Sequence, residues 1–112
     1  MITVTLFRNA QQQFWGFQME GHAGYGEAGN DIICAAVSAL AINAINSIEA
    51  LTTTKPVYRE KDGYLYLEVP EIRTSAANAA DAVLLMNSFA LGLDSIVQDY
   101  GSRYLKVLKT EK

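Results

Sequence analysis

The sequence is poor in the residues from which disulfides and metal sites are built. Its 112 residues include one cysteine, Cys34, and one histidine, His22. A single cysteine excludes an internal disulfide, so the thiol is either a small buried side chain or a reactive group in a reducing compartment. Because a zinc site needs about three or four protein ligands, we expect no metal ion here.

Positive charge is also scarce. Nine Lys and Arg residues stand against twelve Asp and Glu residues, which gives a net charge of -3 and a pI near 5.0. A surface that binds nucleic acid usually carries clustered Lys and Arg side chains. We therefore expect no direct contact with nucleic acid.

The sequence lacks a long apolar run free of polar residues. Its most apolar stretch, 32–51, is interrupted by Ser38, Asn43 and Glu49, among others, and we expect it not to span a membrane. The N-terminal MITVTLFRNA also lacks the basic start and apolar core of a secretory signal. These absences together lead us to expect a cytoplasmic protein.

Apolar residues are nevertheless plentiful enough for one core. Half of the residues are hydrophobic, and the length suits a single domain, 1–112. Alternating apolar and polar residues predict strands, whereas helical spacing and alanine content predict helices. The order β-β-α-β-β-α-β predicts an α+β fold, with two helices packed on a largely antiparallel five-stranded sheet. The predicted strands are 3–8, 14–20, 57–61, 64–69 and 104–109, and the predicted helices are 31–51 and about 75–99.

Several residues predict where these elements begin and end. Asn30 is expected to cap the first helix, and Thr74 or Ser75 to cap the second. Gly101 is the expected C-terminal stop of the second helix. Asp62-Gly63 predicts a hairpin with a type I′ turn between the third and fourth strands.

The second helix carries more apolar side chains than one buried face needs. Leu84, Leu85, Phe89 and Leu91 lie on more than one side of it at 3.6 residues per turn. We therefore expect a homodimer.

The segment GHAGYGEAGNDIICAAVSAL, residues 21–40, contains a literal G-x-G-x-x-G pattern at 24–29. In a dinucleotide-binding unit this pattern is followed by a parallel strand, but here the next two strands form a hairpin. Glu27 and Asp31 would also lie beside the phosphates. A Walker-type loop fails as well, because Asn30-Asp31 follow the last glycine instead of Lys and Ser or Thr. We expect no cofactor.

The same segment places Cys34 near the start of the predicted helix, where free amides and the helix dipole stabilise a thiolate. The loop before it carries His22, which is suited to proton transfer near neutral pH. Asp31, Cys34 and Ser38 fall within roughly a 60° arc of the helix. The alternative interpretation is structural: Cys34 is a buried apolar side chain, Asp31 complements the helix start, and Ser38 is a small packing residue.

The glycine-histidine-alanine start, the glycine-rich loop and the aspartate three residues before the cysteine resemble the ribosomal-processing cysteine protease family, Prp. The resemblance extends over essentially the whole chain. It implies a cytoplasmic endopeptidase whose partner is the N-terminal extension of a large-subunit ribosomal protein, which it removes. It also implies cleavage after an aromatic or bulky apolar residue.

Carried over position by position, the resemblance makes Cys34 the nucleophile and His22 the general base and later acid. Asp31 takes a supporting role, either orienting His22 or shaping the loop. The residues expected to contact the substrate are Gly21, Gly24, Tyr25, Gly26 and Ser38, with the aromatics Phe14, Trp15 and Phe17 as further candidates.

Two expectations concern how this site operates. Backbone amides around Ile33 and Cys34 are candidates for an oxyanion hole. The glycines of the loop 21–29 make it costly to order, so substrate binding is expected to order the loop and complete the site.

The rival hypothesis is a non-catalytic, ribosome-associated binding module in which Cys34 is structural.

Overall fold

Two long helices lie on one face of a five-stranded sheet in the computed structural model, which describes residues 1–21 and 28–112. A third, one-turn helix joins the two halves of the chain. The elements are β1 (Ile2–Arg8), β2 (Phe14–Glu20), α1 (Ala28–Leu51), β3 (Val57–Lys61), β4 (Tyr64–Glu68), α2 (Pro70–Arg73), α3 (Ala80–Tyr100) and β5 (Leu105–Glu111).

The strands are ordered β3-β4-β2-β1-β5. Three of the four neighbouring pairs are antiparallel, and only β1 and β5 run parallel. The parallel pair is possible because the long connection from β1 to β5 includes α3, which crosses the sheet before β5 begins. The predicted α+β fold with a largely antiparallel five-stranded sheet is confirmed.

The core lies between the helices and one face of the sheet. In β1 the apolar residues of the alternating pattern face the helices and the threonines face away, as period-two geometry requires. The ring of Phe17 in β2 packs on that of Phe89 in α3, with 4.6 Å between centroids. Fully buried side chains from both layers include Val4, Leu6, Phe17, Val37, Ala41, Ile48, Met86 and Leu93.

Both long helices are apolar and long enough to cross a membrane by length and composition alone. The mean hydropathy is 1.7 for Asp31–Leu51 and 1.4 for Ala80–Tyr100. By this criterion, the polar residues within α1 do not distinguish it from a membrane-spanning helix. In this fold α1 and α3 pack against each other, and helices that cover a sheet show the same composition.

The first helix begins three residues earlier than predicted, at Ala28 instead of Asp31. Asn30 therefore lies inside α1 and is not its N-cap. A capping preference is worth only about 1 kcal/mol, so it does not by itself decide where a helix begins. As a result Cys34 is the seventh residue of α1 and lies in its second turn.

The second long helix begins later than predicted, because Pro70 starts the separate turn α2. Pro70 takes the first position of that turn, where its missing N–H costs nothing. Ser75 then has a φ of 56°, which a continuing helix does not allow. Helix α3 starts at Ala80 without a side-chain cap, so Thr74 and Ser75 are not its caps. Its C-terminal stop at Gly101 is confirmed, with a φ of 80°.

The hairpin between β3 and β4 is confirmed, but its turn type is different. Lys61 and Tyr64 are paired, so Asp62 and Gly63 form the two-residue loop. Only Gly63 has a positive φ, of 73°. A type I′ turn needs positive φ at both central residues, so the predicted turn type was wrong.

Candidate functional site

An open cleft of about 520 Å³ lies between α1 and the tip of the β3–β4 hairpin, at the end of the sheet where β2 finishes. One wall is helical and the other is formed by strand ends and the hairpin turn. The lining residues are Ile2, Met19, Gly21, Cys34, Ser38, Ile42, Glu60, Lys61, Asp62, Gly63, Tyr64 and Leu65.

The helical wall consists of Cys34, Ser38 and Ile42. These residues are four apart, so they form one stripe along α1. The neighbouring stripe, which includes Ile33 and Val37, is buried against the sheet. The fold of α1 on the sheet thus places Cys34 at the boundary between the core and the cleft.

Cys34 is half-buried and faces the cleft with part of its surface. Its other contacts are with the core, against which it packs. A purely structural cysteine would be enclosed by apolar side chains, as Ile33 beside it is. The position of Cys34 therefore favours a thiol that a ligand can reach.

Gly21 ties the end of β2 to the hairpin tip. Its N–H donates to the carbonyl oxygen of Gly63 at 3.0 Å. Its φ of 107° is one that only glycine adopts readily, and a Cβ at this position would overlap the carbonyl oxygen of Met1. The backbone therefore requires glycine here, quite apart from any contact with a substrate.

The structure brings three of the predicted site residues to one cleft: Cys34, Ser38 and Gly21. Asp31 lies one turn before Cys34 on α1, is exposed, and is not among the residues that line the cleft. The remaining predicted site residues lie outside the described residues, and these are His22, Gly24, Tyr25 and Gly26. The proposed roles of all of them stay predictions.

The early start of α1 changes the electrostatics expected at Cys34. Cys34 lies about 9 Å along the axis from Ala28, beyond the first turn in which the helix dipole acts strongly. The amides of Ile33 and Cys34 come after the four free donors at a helix start, so they bond within the helix. The helix start therefore no longer supports an oxyanion hole at those two amides, and that expectation stays a prediction.

Sequence reasoning missed the strand side of the cleft. Met19 and Leu65 form an apolar floor, and Glu60 to Asp62 bring charge to its edge. The hairpin itself was predicted, but its position beside β2 depends on strand order, which the sequence pattern does not specify. Among the aromatic candidates, Trp15 and Phe17 are buried, and Trp15 is only 1% exposed.

Within residues 1–21 and 28–112 no three His, Cys, Asp or Glu side chains are grouped so as to hold a metal ion.

Comparison with known proteins gives consistent matches. The family model of the cysteine protease Prp matches residues 1–106. The ribosomal processing cysteine protease Prp of Bacillus subtilis (strain 168) is 34% identical over 102 residues, which cover 89% of this chain and 90% of that protein.

Solved structures of the essential ribosomal processing protease Prp from S. aureus are also similar. The complex with a substrate peptide has a TM-score of 0.80 and 28% identity and covers 100% of both chains. The complex with a covalently linked product peptide has a TM-score of 0.80 and 28% identity, and covers 97% of this chain and 99% of that one.

Proposed function

Because the chain belongs to the family of the cysteine protease Prp, we propose that it removes the N-terminal extension of a large-subunit ribosomal protein. The single observation that carries this proposal is the exposure of Cys34 to the open cleft between α1 and the hairpin. The cleft has the size of a small-ligand site but is open, which suits a segment of extended peptide. The rival hypothesis of a non-catalytic binding module needs a structural cysteine and is disfavoured by the family.

The chemistry that we propose begins with transfer of the Cys34 thiol proton to the His22 imidazole. The thiolate then attacks the scissile carbonyl carbon, and the new C–S bond gives a tetrahedral intermediate. When the C–N bond breaks, the imidazolium of His22 gives its proton to the leaving amine, leaving an acyl-enzyme. Water, deprotonated by His22, then hydrolyses the thioester and restores the thiol.

Two features support this assignment of roles. Cys34 is the only thiol in the chain and His22 the only imidazole, so no other pair can perform these steps. His22 follows directly after Gly21, whose backbone lines the same cleft as Cys34. Asp31 is assigned a positioning role, since it lies one helical turn from Cys34 but does not line the cleft.

The apolar floor of the cleft supports the preference for a bulky apolar residue before the scissile bond. Met19, Leu65 and Ile42 line the same cleft as Cys34 with apolar side chains. Burying such a residue of the substrate would contribute roughly 1.5–3 kcal/mol for full burial. Ser38, on the same stripe as Cys34, is assigned a substrate contact at this position.

The proposal also includes location and assembly. We place the protein in the cytoplasm, where a lone cysteine stays reduced and ribosomal proteins are made. We propose a homodimer, since Leu84 and Leu91 on α3 are 67% and 68% exposed. Seven residues apart, they lie on the same face of the helix.

The decisive experiment mixes the protein with the unprocessed ribosomal precursor and follows the N-terminus of the product by mass spectrometry. We expect cleavage by the wild type, and a loss of at least about a thousandfold in both Cys34→Ala and Cys34→Ser. Cys34→Ser keeps the size of the side chain, so its loss would reflect chemistry and not packing. His22→Ala should lose comparable activity.

Cleavage of the precursor by Cys34→Ser at the wild-type rate would refute the assignment. Thermal unfolding of each variant serves as the control for folding. A folded wild type that leaves the precursor intact would refute the proposed substrate.

A further inference from the structure

The wall of the cleft opposite α1 contains a carboxylate whose position follows from the sheet register. Glu60 in β3 pairs with Leu65 in β4, and Leu65 pairs with Met19 in β2. Directly paired residues project from the same face of a sheet. Leu65 is only 4% exposed and belongs to the core under the helices, so Glu60 projects from the face that carries α1 and Cys34.

Glu60 is an exposed charge at the end of an apolar row. Within residues 1–21 and 28–112 its carboxylate has neither a hydrogen-bond nor an ion-pair partner. The neighbouring Lys61 also lines the cleft, but it pairs with Tyr64, so its Cβ leaves the hairpin on the face opposite to that of Glu60. The row Met19, Leu65, Glu60 therefore ends in a carboxylate that forms no ion pair with a described side chain.

We propose that Glu60 is a specificity-determining residue that selects a Lys or Arg side chain of the peptide near the scissile bond. The inference rests on the proposed function. Neighbouring strands are about 4.8 Å apart, so the Cα of Glu60 lies about 10 Å from that of Met19, across the floor of the cleft. An extended peptide advances about 3.3 Å per residue, which places the selected cation within about three residues of the bond.

The proposed substrate class fits this charge. A ribosomal protein binds RNA and carries many Lys and Arg side chains, which neutralise phosphates. A peptide from such a protein that binds in the cleft with its apolar residue over Met19 and Leu65 would bring basic residues to the hairpin tip. Glu60 then distinguishes this peptide from one of equal hydrophobicity that lacks the cation.

The size of the effect follows from the exposure of Glu60. An ion pair between exposed side chains is screened by water and salt, so we expect about a three- to fivefold preference and not a hundredfold one. The preference should appear in KM, with kcat unchanged, because the pair forms at a distance from the reacting atoms.

The test uses fluorogenic peptides that differ at one position, within three residues of the scissile bond, where Lys is replaced by norleucine or by Glu. The wild type is compared with Glu60→Gln and Glu60→Lys, and with Glu49→Gln as the matched control. Glu49 is an exposed carboxylate on α1, about 22 Å along the helix axis from Cys34, and does not line the cleft. Binding of the same peptides to Cys34→Ala, measured by fluorescence anisotropy, gives a second readout that needs no catalysis.

For Lys at one of the tested positions, we expect the wild type and Glu49→Gln to prefer the Lys peptide to the norleucine peptide by about three- to fivefold. Glu60→Gln should abolish this preference, Glu60→Lys should reverse it, and high salt should reduce it in the wild type. An unchanged preference in Glu60→Gln, or no preference in the wild type at any of the positions, overturns the inference.

The two readouts separate this inference from the proposed function. If Cys34→Ala binds the Lys peptide preferentially and Cys34→Ala/Glu60→Gln does not, Glu60 selects the cation even if no peptide is cleaved. In that case only the protease assignment fails. If peptides are cleaved with no dependence on Glu60, only the specificity assignment fails.

Discussion

Single residues of the sheet show how local surroundings set their chemistry, and Tyr66 is the clearest example. Its ring lies on the face of the sheet opposite the helices, 6.3 Å from the ring of Phe7. Its hydroxyl donates to Oε1 of Glu68 at 3.2 Å. Partial burial, and next the hydrogen bond and negative charge of Glu68, raise the pKa of Tyr66 above the ordinary value of 10.0. Arg73 and Arg59 oppose this shift only in part.

This shift predicts how stability depends on pH. The folded state holds the phenol proton more tightly than the unfolded state, so Tyr66 contributes stability that is fully present below about pH 10. That contribution is lost as the pH rises through the raised pKa. Urea unfolding at about pH 9 and about pH 11 should show a larger loss of stability for the wild type than for Tyr66→Phe. Equal losses would contradict the assignment.

At the scale of elements, the cleft depends on the junction where β2 meets the hairpin tip. The hydrogen bond from Gly21 to Gly63 holds the two together, and the backbone of Gly21 leaves no room for a Cβ. This junction determines where the chain leaves the sheet toward His22. A substitution there should destabilise the junction of β2 with the hairpin, and not only one residue.

We expect Gly21→Ala to lower the free energy of unfolding by about 2–3 kcal/mol, from a strained positive φ and the overlap with Met1. Gly101→Ala is the matched control. Gly101 also has a positive φ, but a Cβ there would meet nothing within 4 Å, so only the strain of about 1 kcal/mol remains. Urea denaturation of both variants measures the difference. If Gly101→Ala were as destabilising as Gly21→Ala, the overlap would contribute nothing.

At the scale of the whole molecule, α3 presents apolar side chains on two sides. One side packs on the sheet through residues such as Met86 and Phe89. The other exposes Leu84 and Leu91, which the proposed homodimer would cover.

Sedimentation velocity should therefore find the wild type dimeric at micromolar concentration. Replacing both leucines, as in Leu84→Lys/Leu91→Lys, should shift it to monomer because two charges would be buried without partners. Val57→Lys is the control, since Val57 is an exposed apolar residue on the edge strand β3. A monomeric wild type, or a double variant as dimeric as the control, would contradict the proposal.

The strands and the two long helices were predictable from periodicity. Strands 14–20 and 57–61 were placed at their observed bounds, because alternating side chains and the Asp62-Gly63 pair are local signals. The helix starts were predicted less well. A cap residue such as Asn30 contributes too little free energy to decide by itself where a helix begins, and Ser75 adopts a positive φ that no sequence rule anticipated.

The sequence by itself determined the family and the fold class and predicted the pair Cys34 and His22, because motif spacing and periodicity are properties of the chain. That Cys34 opens onto a cleft was decided only by the tertiary structure, which places β4 beside β2 and so brings the hairpin to α1. The same strand order turns Glu60, a charge in an ordinary-looking hairpin, into part of that cleft. Strand order depends on contacts between residues far apart in the chain, which local patterns do not record.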